Sequence, residues 1–247
     1  MLHRGSLPRI DKLTNLPAVV ILQTEDSPKH AKAGAVRTLV RRRPGWGKKR
    51  MRLYLTRHGQ TDWNVQHKVQ GQTDIPLNET GIRQAHELAD TLEGKPIDLA
   101  LVSPLLRARE TCEIVCGQLQ IPFRVCGELT EQNFGIFEGV STRDPVYQTE
   151  KAKYFTRFPE GESFLDVTAR IYPFLRRIAA EYADENVLII VHNGIGRVIH
   201  SFFEDLSNDE FRNFRMENCE VREYDMTAIS AGADFPQCAA SGAGGAG

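Results

Sequence analysis

The segment Leu53-Tyr54-Leu55-Thr56-Arg57-His58-Gly59-Gln60-Thr61 is an apolar run that stops on an arginine, a histidine and a glycine. A strand with that ending delivers an imidazole beside a guanidinium, a pairing suited to attack on a phosphate ester. A phosphate monoester is a dianion, and a guanidinium forked onto its oxygens contributes on the order of 4 kcal/mol per close pair at a surface-like effective dielectric. Arg57 and Arg107 are the candidate clamps, Arg107 being preferred to Arg109 because it lies nearer the start of its helix. A histidine nucleophile must be neutral, and nearby arginines lower its pKa by disfavouring the cation. His58 is therefore the candidate nucleophile, with a backbone carbonyl expected on its other ring nitrogen.

Two further roles need filling. His192, directly after the apolar run Val187-Leu188-Ile189-Ile190-Val191, is placed to donate a hydrogen bond to the phosphoryl oxygens in the transition state. Gly59 and Gly194 let the backbone turn sharply or approach the substrate closely. The leaving alkoxide needs a proton, and the stretch from Leu129 to Gly139 offers Glu131 and Glu138 near glycines in apolar surroundings. Burial raises a carboxyl pKa, as a general acid requires, but spacing does not choose between the two.

These groups can meet only if the elements carrying them share a rim. Arg52 to Thr56 predicts a strand, and Asn78 caps a helix whose apolar positions Ile82, Ala85, Leu88, Ala89 and Leu92 recur at three and four. Leu99 to Val102 is the next strand, and Pro104, at a first helical turn, opens a helix toward Leu119. A short strand follows around Phe123 to Cys126. Val140 to Gly161 shows no period and reads as an inserted loop or short helices. Phe164 to Tyr182 is helical, with a kink expected at Pro173. Val187 to Val191 is the most buried strand by pattern, Ile195 to Phe203 the helix after it, and Val221 to Tyr224 a last strand at an edge. This alternation predicts an α/β domain with a mostly parallel sheet and helices on both faces. Ligands bind such sheets beyond the carboxyl ends of the strands, where Arg57-His58, Ser103 with Arg107, and His192-Asn193-Gly194 all fall.

Composition sets the frame. With 247 residues, 41% hydrophobic and 26% charged, the chain can bury one sizeable core. No run approaches a membrane span, and Leu16 to Leu22, interrupted by Pro17, is short for a signal-peptide core, so the cytoplasm is the expected location. Five cysteines fit no simple disulfide framework; Cys112 and Cys116, four apart beside Ile114, Val115 and Leu119, are expected as core residues rather than metal ligands.

The net charge of −1 hides an asymmetry. Residues 1–50 carry 12 Lys/Arg against 3 Asp/Glu, which leaves 19 against 29 for the rest. The domain reading is a basic, disordered extension over 1–50, a catalytic domain over 51–227 and an Ala/Gly/Ser-rich tail over 228–247. The extension is taken as sequence the domain does not need, and nucleic acid is not expected as a partner.

Six segments in order carry a resemblance: Leu-Thr-Arg57-His58-Gly59-Gln-Thr with Asn64, Pro76-Leu77-Asn78 with Gly81, Ser103-Pro104-Leu105 with Arg107-Ala108, Glu131 with Gly135 and Glu138-Gly139, Gly161-Glu162-Ser163, and Val191-His192 with Gly194. Together, over roughly residues 51 to 226, they resemble the histidine phosphatase superfamily in its phosphoglycerate mutase-like branch. The resemblance implies a three-layer α/β/α fold and a phosphohistidine on His58, formed without metal or cofactor. It further implies a phosphate pocket of Arg57, Asn64, Arg107 and His192, with Gly194 beside the substrate and Glu131 as the acid.

Two departures from the mutases favour water as phosphoryl acceptor. Phe134 stands where they place a tyrosine, and Val140 to Gly161 is short and lacks an adjacent arginine pair. Arg143, Lys151, Lys153 and Arg157 are the cations available there. The expected function is hydrolysis of a small phosphate monoester by a monomer or homodimer. A phosphoglycerate mutase or phosphosugar bisphosphatase is the alternative, and a non-catalytic phosphate- or nucleic-acid-binding protein the further one.

Overall fold

A computed structural model describes residues 51–226, so the expectations for residues 1–50 and for the tail from 228 lie outside the described residues. In chain order the elements are β1 (Arg52–Arg57), α1 (Asp62–Val65), α2 (Glu79–Leu92), β2 (Leu99–Val102), α3 (Leu106–Leu119), β3 (Phe123–Val125), α4 (Pro145–Lys151), α5 (Phe164–Glu181), β4 (Val187–Val191), α6 (Asn193–Phe203), α7 (Asn208–Asn213) and β5 (Val221–Asp225). The five strands form one sheet in the order β3-β2-β4-β1-β5. Every pairing is parallel except that of β5, which lies antiparallel to β1 at the edge.

Strand periodicity of two splits the core into two layers. Leu53, Leu55, Leu101, Val187, Ile189 and Val191 face α5 and α6. Tyr54, Ala100, Val102, Leu188 and Ile190 face α2 and α3. A central strand covered on both sides reads as the continuous apolar run VLIIV, and all five residues of β4 are buried. The result is the three-layer α/β/α arrangement.

The helices begin where local chemistry dictates, with two corrections. Asn78 caps α2 by accepting from Gly81 N at 2.9 Å. Pro104 does not open the first turn of α3, which starts at Leu106 and has no side-chain cap from Leu105; instead Asp74 Oδ1 takes the Leu106 N–H at 2.6 Å. The fourth strand hands over to α6 at Asn193 rather than Ile195, with His192 in the N-cap position. Ser163 and Asp166 close a capping box on α5, which continues through Pro173. The aperiodic stretch resolves into α4, capped by Asp144, above a third small core of Val69, Phe134, Phe137, Tyr147 and Phe158. Among the described residues no helix is long and apolar enough to cross a membrane.

Ile189 is fully buried in the larger layer. Ile189→Ala is expected to destabilise the domain by about 2–5 kcal/mol, the cost of lost burial plus an unfilled cavity, measured as a fall in the urea midpoint with unchanged m.

Candidate active site

The register of the sheet assembles the rim. Arg57 pairs with Val191 and Val102 with Ile190, so β1, β2 and β4 end side by side. His58 N continues the ladder to Val191 O at 2.9 Å and Ser103 N to Ile190 O at 3.2 Å. Three segments distant in sequence thus open onto one cavity of about 490 Å³, whose wall includes Arg57, His58, Asn64, Arg107, Glu131 and Gly194. His192 is not part of that wall; its ring lies beneath, 5.1 Å from that of His58 between centroids.

His58 is 3% exposed. Its Nδ1 lies 2.7 Å from Gly59 O and Arg107 Nε donates toward its Nε2 at 3.3 Å. A carbonyl accepts only from N–H and a guanidinium only donates, so Nδ1 carries the proton and Nε2 keeps its lone pair. Burial first, then Arg107 and Arg57, hold its pKa well below 6.5. The arginines contribute to that neutrality, as the sequence suggested, but burial is the larger cause. Gly59 is required by contact: a Cβ there would sit 2.5 Å from Gly81 O. Its N–H donates to Thr111 Oγ1, which donates to Arg107 O, tying β1 to α3.

Arg107 is 1% exposed and only partly free to clamp a phosphate. Its Nη1 and Nη2 donate to Thr73 O at 2.9 Å and Gly71 O at 2.7 Å. With Nε directed at His58, two of its five N–H groups remain. Burial lowers its pKa to about 10, so it stays a cation at neutral pH. Arg57 donates to Met216 O at 2.8 Å, while its buried Nε has no partner. Asn64 Oδ1 is taken by the backbone and hydroxyl of Thr61, which turns its amide nitrogen to other use.

His192 is oriented by a residue that sequence reasoning placed on the rim but gave no role. Ser103 Oγ accepts from Leu105 N at 3.3 Å and lies 2.7 Å from His192 Nε2. Donation of its one hydrogen to Nε2 would leave the proton on His192 Nδ1, a buried atom without a partner. Burial and then Arg107 push this imidazole, too, well below 6.5.

The carboxylates separate clearly. Glu131 is 7% exposed; its Oε1 accepts from Gln132 N at 2.9 Å and its Oε2 from Gly194 N at 3.1 Å, on the first turn of α6. Glu138 instead accepts from Gln72 N, Thr73 N, Thr73 Oγ1 and Phe134 N, ties the 71–73 loop down and is absent from the cavity wall. Phe134 packs edge-on against Tyr147 and Phe158. Of the four cations suggested for the 140–161 segment only Lys151 lines the cavity. Lys153 pairs with Glu150 and Arg157 with Asp166, and Arg143 is exposed. Sequence reasoning missed Arg197 and Arg215, both on the wall. Arg197 was detectable as a lone charge inside the apolar run of α6; nothing in the sequence marked Arg215.

A parallel α/β sheet with a histidine held as a free base among arginines at its rim defines a phosphoryl-transfer enzyme. A family model described as the histidine phosphatase superfamily, branch 1, matches residues 53–231, and the chain belongs to that family. It is 35% identical over 166 residues to the uncharacterized phosphatase PhoE of Bacillus subtilis, covering 66% of this chain and 82% of that protein. It is 33% identical to the adenosylcobalamin/alpha-ribazole phosphatase of Salmonella typhimurium, over 68% of this chain and 86% of that one. The crystal structure of the alpha-ribazole phosphatase from Shigella flexneri superposes with a TM-score of 0.64 at 30% identity, over 71% and 90% of the two chains.

Two outcomes follow from this geometry. A Cβ on Gly194 would lie 2.5 Å from Glu131 Oε1, so Gly194→Ala displaces the carboxylate and lowers kcat on the order of 100-fold, the scale of a misplaced catalytic group. Below the ordinary imidazole pKa of 6.5 the unfolded chain binds protons that buried His58 and His192 do not. Stability is therefore present above that pH and lost as pH falls through it, by up to about 1.4 kcal/mol per pH unit for each histidine. Urea unfolding between pH 7.5 and 5.5 is expected to show this slope, and His192→Asn to flatten it by about one proton.

Proposed function

We propose that this histidine phosphatase hydrolyses a small phosphate monoester, without a metal ion, by way of a phosphohistidine on His58. The observation that carries the reading is the proton arrangement of His58, with Nδ1–H on Gly59 O and the lone pair of Nε2 on the cavity side facing Arg107. The 3.3 Å contact from Arg107 Nε is long, and an incoming phosphoryl group exchanges for it.

In the first half-reaction Nε2 attacks phosphorus in line and the ester P–O bond breaks. Arg57, the remaining N–H groups of Arg107 and the Asn64 amide hold the phosphoryl oxygens; the Nδ1–H of His192 donates to them as charge develops. Protonated Glu131 gives its proton to the departing alkoxide. Each of its oxygens accepts one backbone bond and keeps a lone pair for that proton. In the second half-reaction the carboxylate takes a proton from water, the water oxygen attacks phosphorus and the N–P bond breaks, returning neutral His58 and phosphate. Two guanidiniums supply the fixed positive charge, which supports the metal-free reading. The cytoplasm is the proposed site of action, a compartment that keeps Cys112, Cys116, Cys126 and Cys219 as the free thiols they are here.

With p-nitrophenyl phosphate and excess chelator, wild type is expected to turn over at full rate and yield an acid-labile phosphoenzyme on quenching. His58→Ala yields neither. Glu131→Gln slows turnover by about 10²–10⁴-fold while the phosphoenzyme accumulates, because this leaving group departs without a proton and the water step stalls. Loss of activity to chelator overturns the metal-free claim, and an active His58→Ala overturns the mechanism.

A further inference from the structure

Besides Lys68, whose ammonium stands 5.5 Å from the centroid of the Trp63 ring, the cavity carries a group of three cations that the hydrolysis does not use: Lys151, Arg197 and Arg215. Arg197 is 2% exposed. Its guanidinium lies between the rings of Phe164 and Phe211, 5.2 and 5.4 Å from their centroids, and its buried Nε has no hydrogen-bond partner. Among the described residues no carboxylate forms an ion pair with it. Packing between two rings accounts for its orientation and for part of its burial. It does not account for an unsatisfied donor on a cavity wall, since buried charges are ordinarily paired.

The neighbours sharpen the point. Lys151, the last residue of α4, sets its ammonium 5.8 Å from the Tyr147 ring. Burial, then Arg197 and Arg215, pull its pKa down to about 8, and burial with Arg215 brings Arg197 to about 10. Arg215 stands at the opening, one nitrogen on Phe214 O at 2.8 Å. Among the described residues no carboxylate forms an ion pair with the group: Glu131 is held by Gln132 and Gly194, Glu217 shares the wall of the main cavity, and Asp209 lies on the wall of an adjoining cavity of about 270 Å³. That second cavity shares Gln148, Lys151, Arg197 and Arg215 with the first. Three like charges that repel one another are relieved by an anion seated among them. The main cavity is of small-ligand size, so one molecule reaches both this cluster and His58.

We propose that Lys151, Arg197 and Arg215 form a second anion subsite, so that the preferred substrates are phosphate monoesters bearing a further carboxylate or phosphate away from the scissile ester. This rests on the phosphatase reading above. The subsite is separate from the phosphoryl clamp of Arg57 and Arg107 and acts on affinity and specificity, not on the chemistry at phosphorus.

Two matched pairs of substrates test it. 3-Phosphoglycerate and glycerol 3-phosphate differ by a carboxylate in place of a hydroxymethyl group, and glucose 1,6-bisphosphate and glucose 6-phosphate by a second phosphate. For wild type, kcat/KM of the doubly anionic member is expected to exceed that of its partner by tenfold or more in at least one pair, chiefly through KM. Which pair responds tells carboxylate from phosphate. Lys151→Met and Arg215→Met, on the outer side of the cluster, are each expected to lower that ratio at least threefold, and Arg197→Met to remove most of it. The two outer variants keep the test decisive if Arg197→Met does not fold. Ratios near one in wild type, or variants that slow both members of a pair equally, overturn the subsite. Absence of turnover and of a phosphoenzyme with every ester overturns the phosphatase reading instead. The subsite is then judged by calorimetric Kd values for 3-phosphoglycerate and glycerol 3-phosphate in wild type and Lys151→Met, against the same ratio.

Discussion

The hydrogen bond from His58 Nδ1 to Gly59 O determines what the rest of the rim can do. An imidazole is useful as a nucleophile only with one nitrogen free and the other committed, and here the commitment is made within the next residue of the chain. Burial then keeps the ring neutral, while Arg107 donates its Nε–H toward the free nitrogen and adds positive potential. Because the anchoring carbonyl belongs to Gly59, the backbone at that point must be threaded against Gly81, which admits no side chain at position 59. The α2 cap, the glycine contact and the tautomer of the proposed nucleophile are therefore one constraint.

His192 obeys the same logic by a different device. Ser103, at the end of β2, holds Nε2 of a histidine at the end of β4, and the parallel register between those strands makes the meeting possible. The open Nδ1 is a buried ring nitrogen left unpaired, at a cost of about 1–3 kcal/mol when nothing is bound. Such an orphan is tolerable where an anionic ligand completes it. Unpartnered donors recur at Arg57 Nε and Arg197 Nε, in keeping with the proposed binding of negative charge at two places in the cavity.

The stretch between the sheet-bound residues and α5 serves mainly as support. Glu138 accepts from three backbone amides and a hydroxyl, and the Phe134, Phe137, Tyr147 and Phe158 cluster packs beneath α4. These interactions hold the 71–73 loop whose carbonyls hold Arg107. They also carry Lys151 to the cavity, so the segment without sequence periodicity positions both the clamp and the outer cations.

The chain by itself determined the alternation of elements, the both-faces burial of β4 and the rim location of Arg57, His58, Ser103, Arg107 and His192, because apolar period and strand ends are local properties. Its motifs, through the resemblance they carry, also pointed to Glu131. Tertiary structure alone decided the rest. It distinguished Glu131 from Glu138 by which backbone amides each carboxylate meets, put most of Arg107's fork on loop carbonyls, and gave Ser103 its part. It brought Arg197 and Arg215 beside Lys151 while sending Lys153 and Arg157 to surface partners. Such choices depend on distances between segments tens of residues apart, and a side chain's charge in the sequence carries no record of which partner the fold will bring to it.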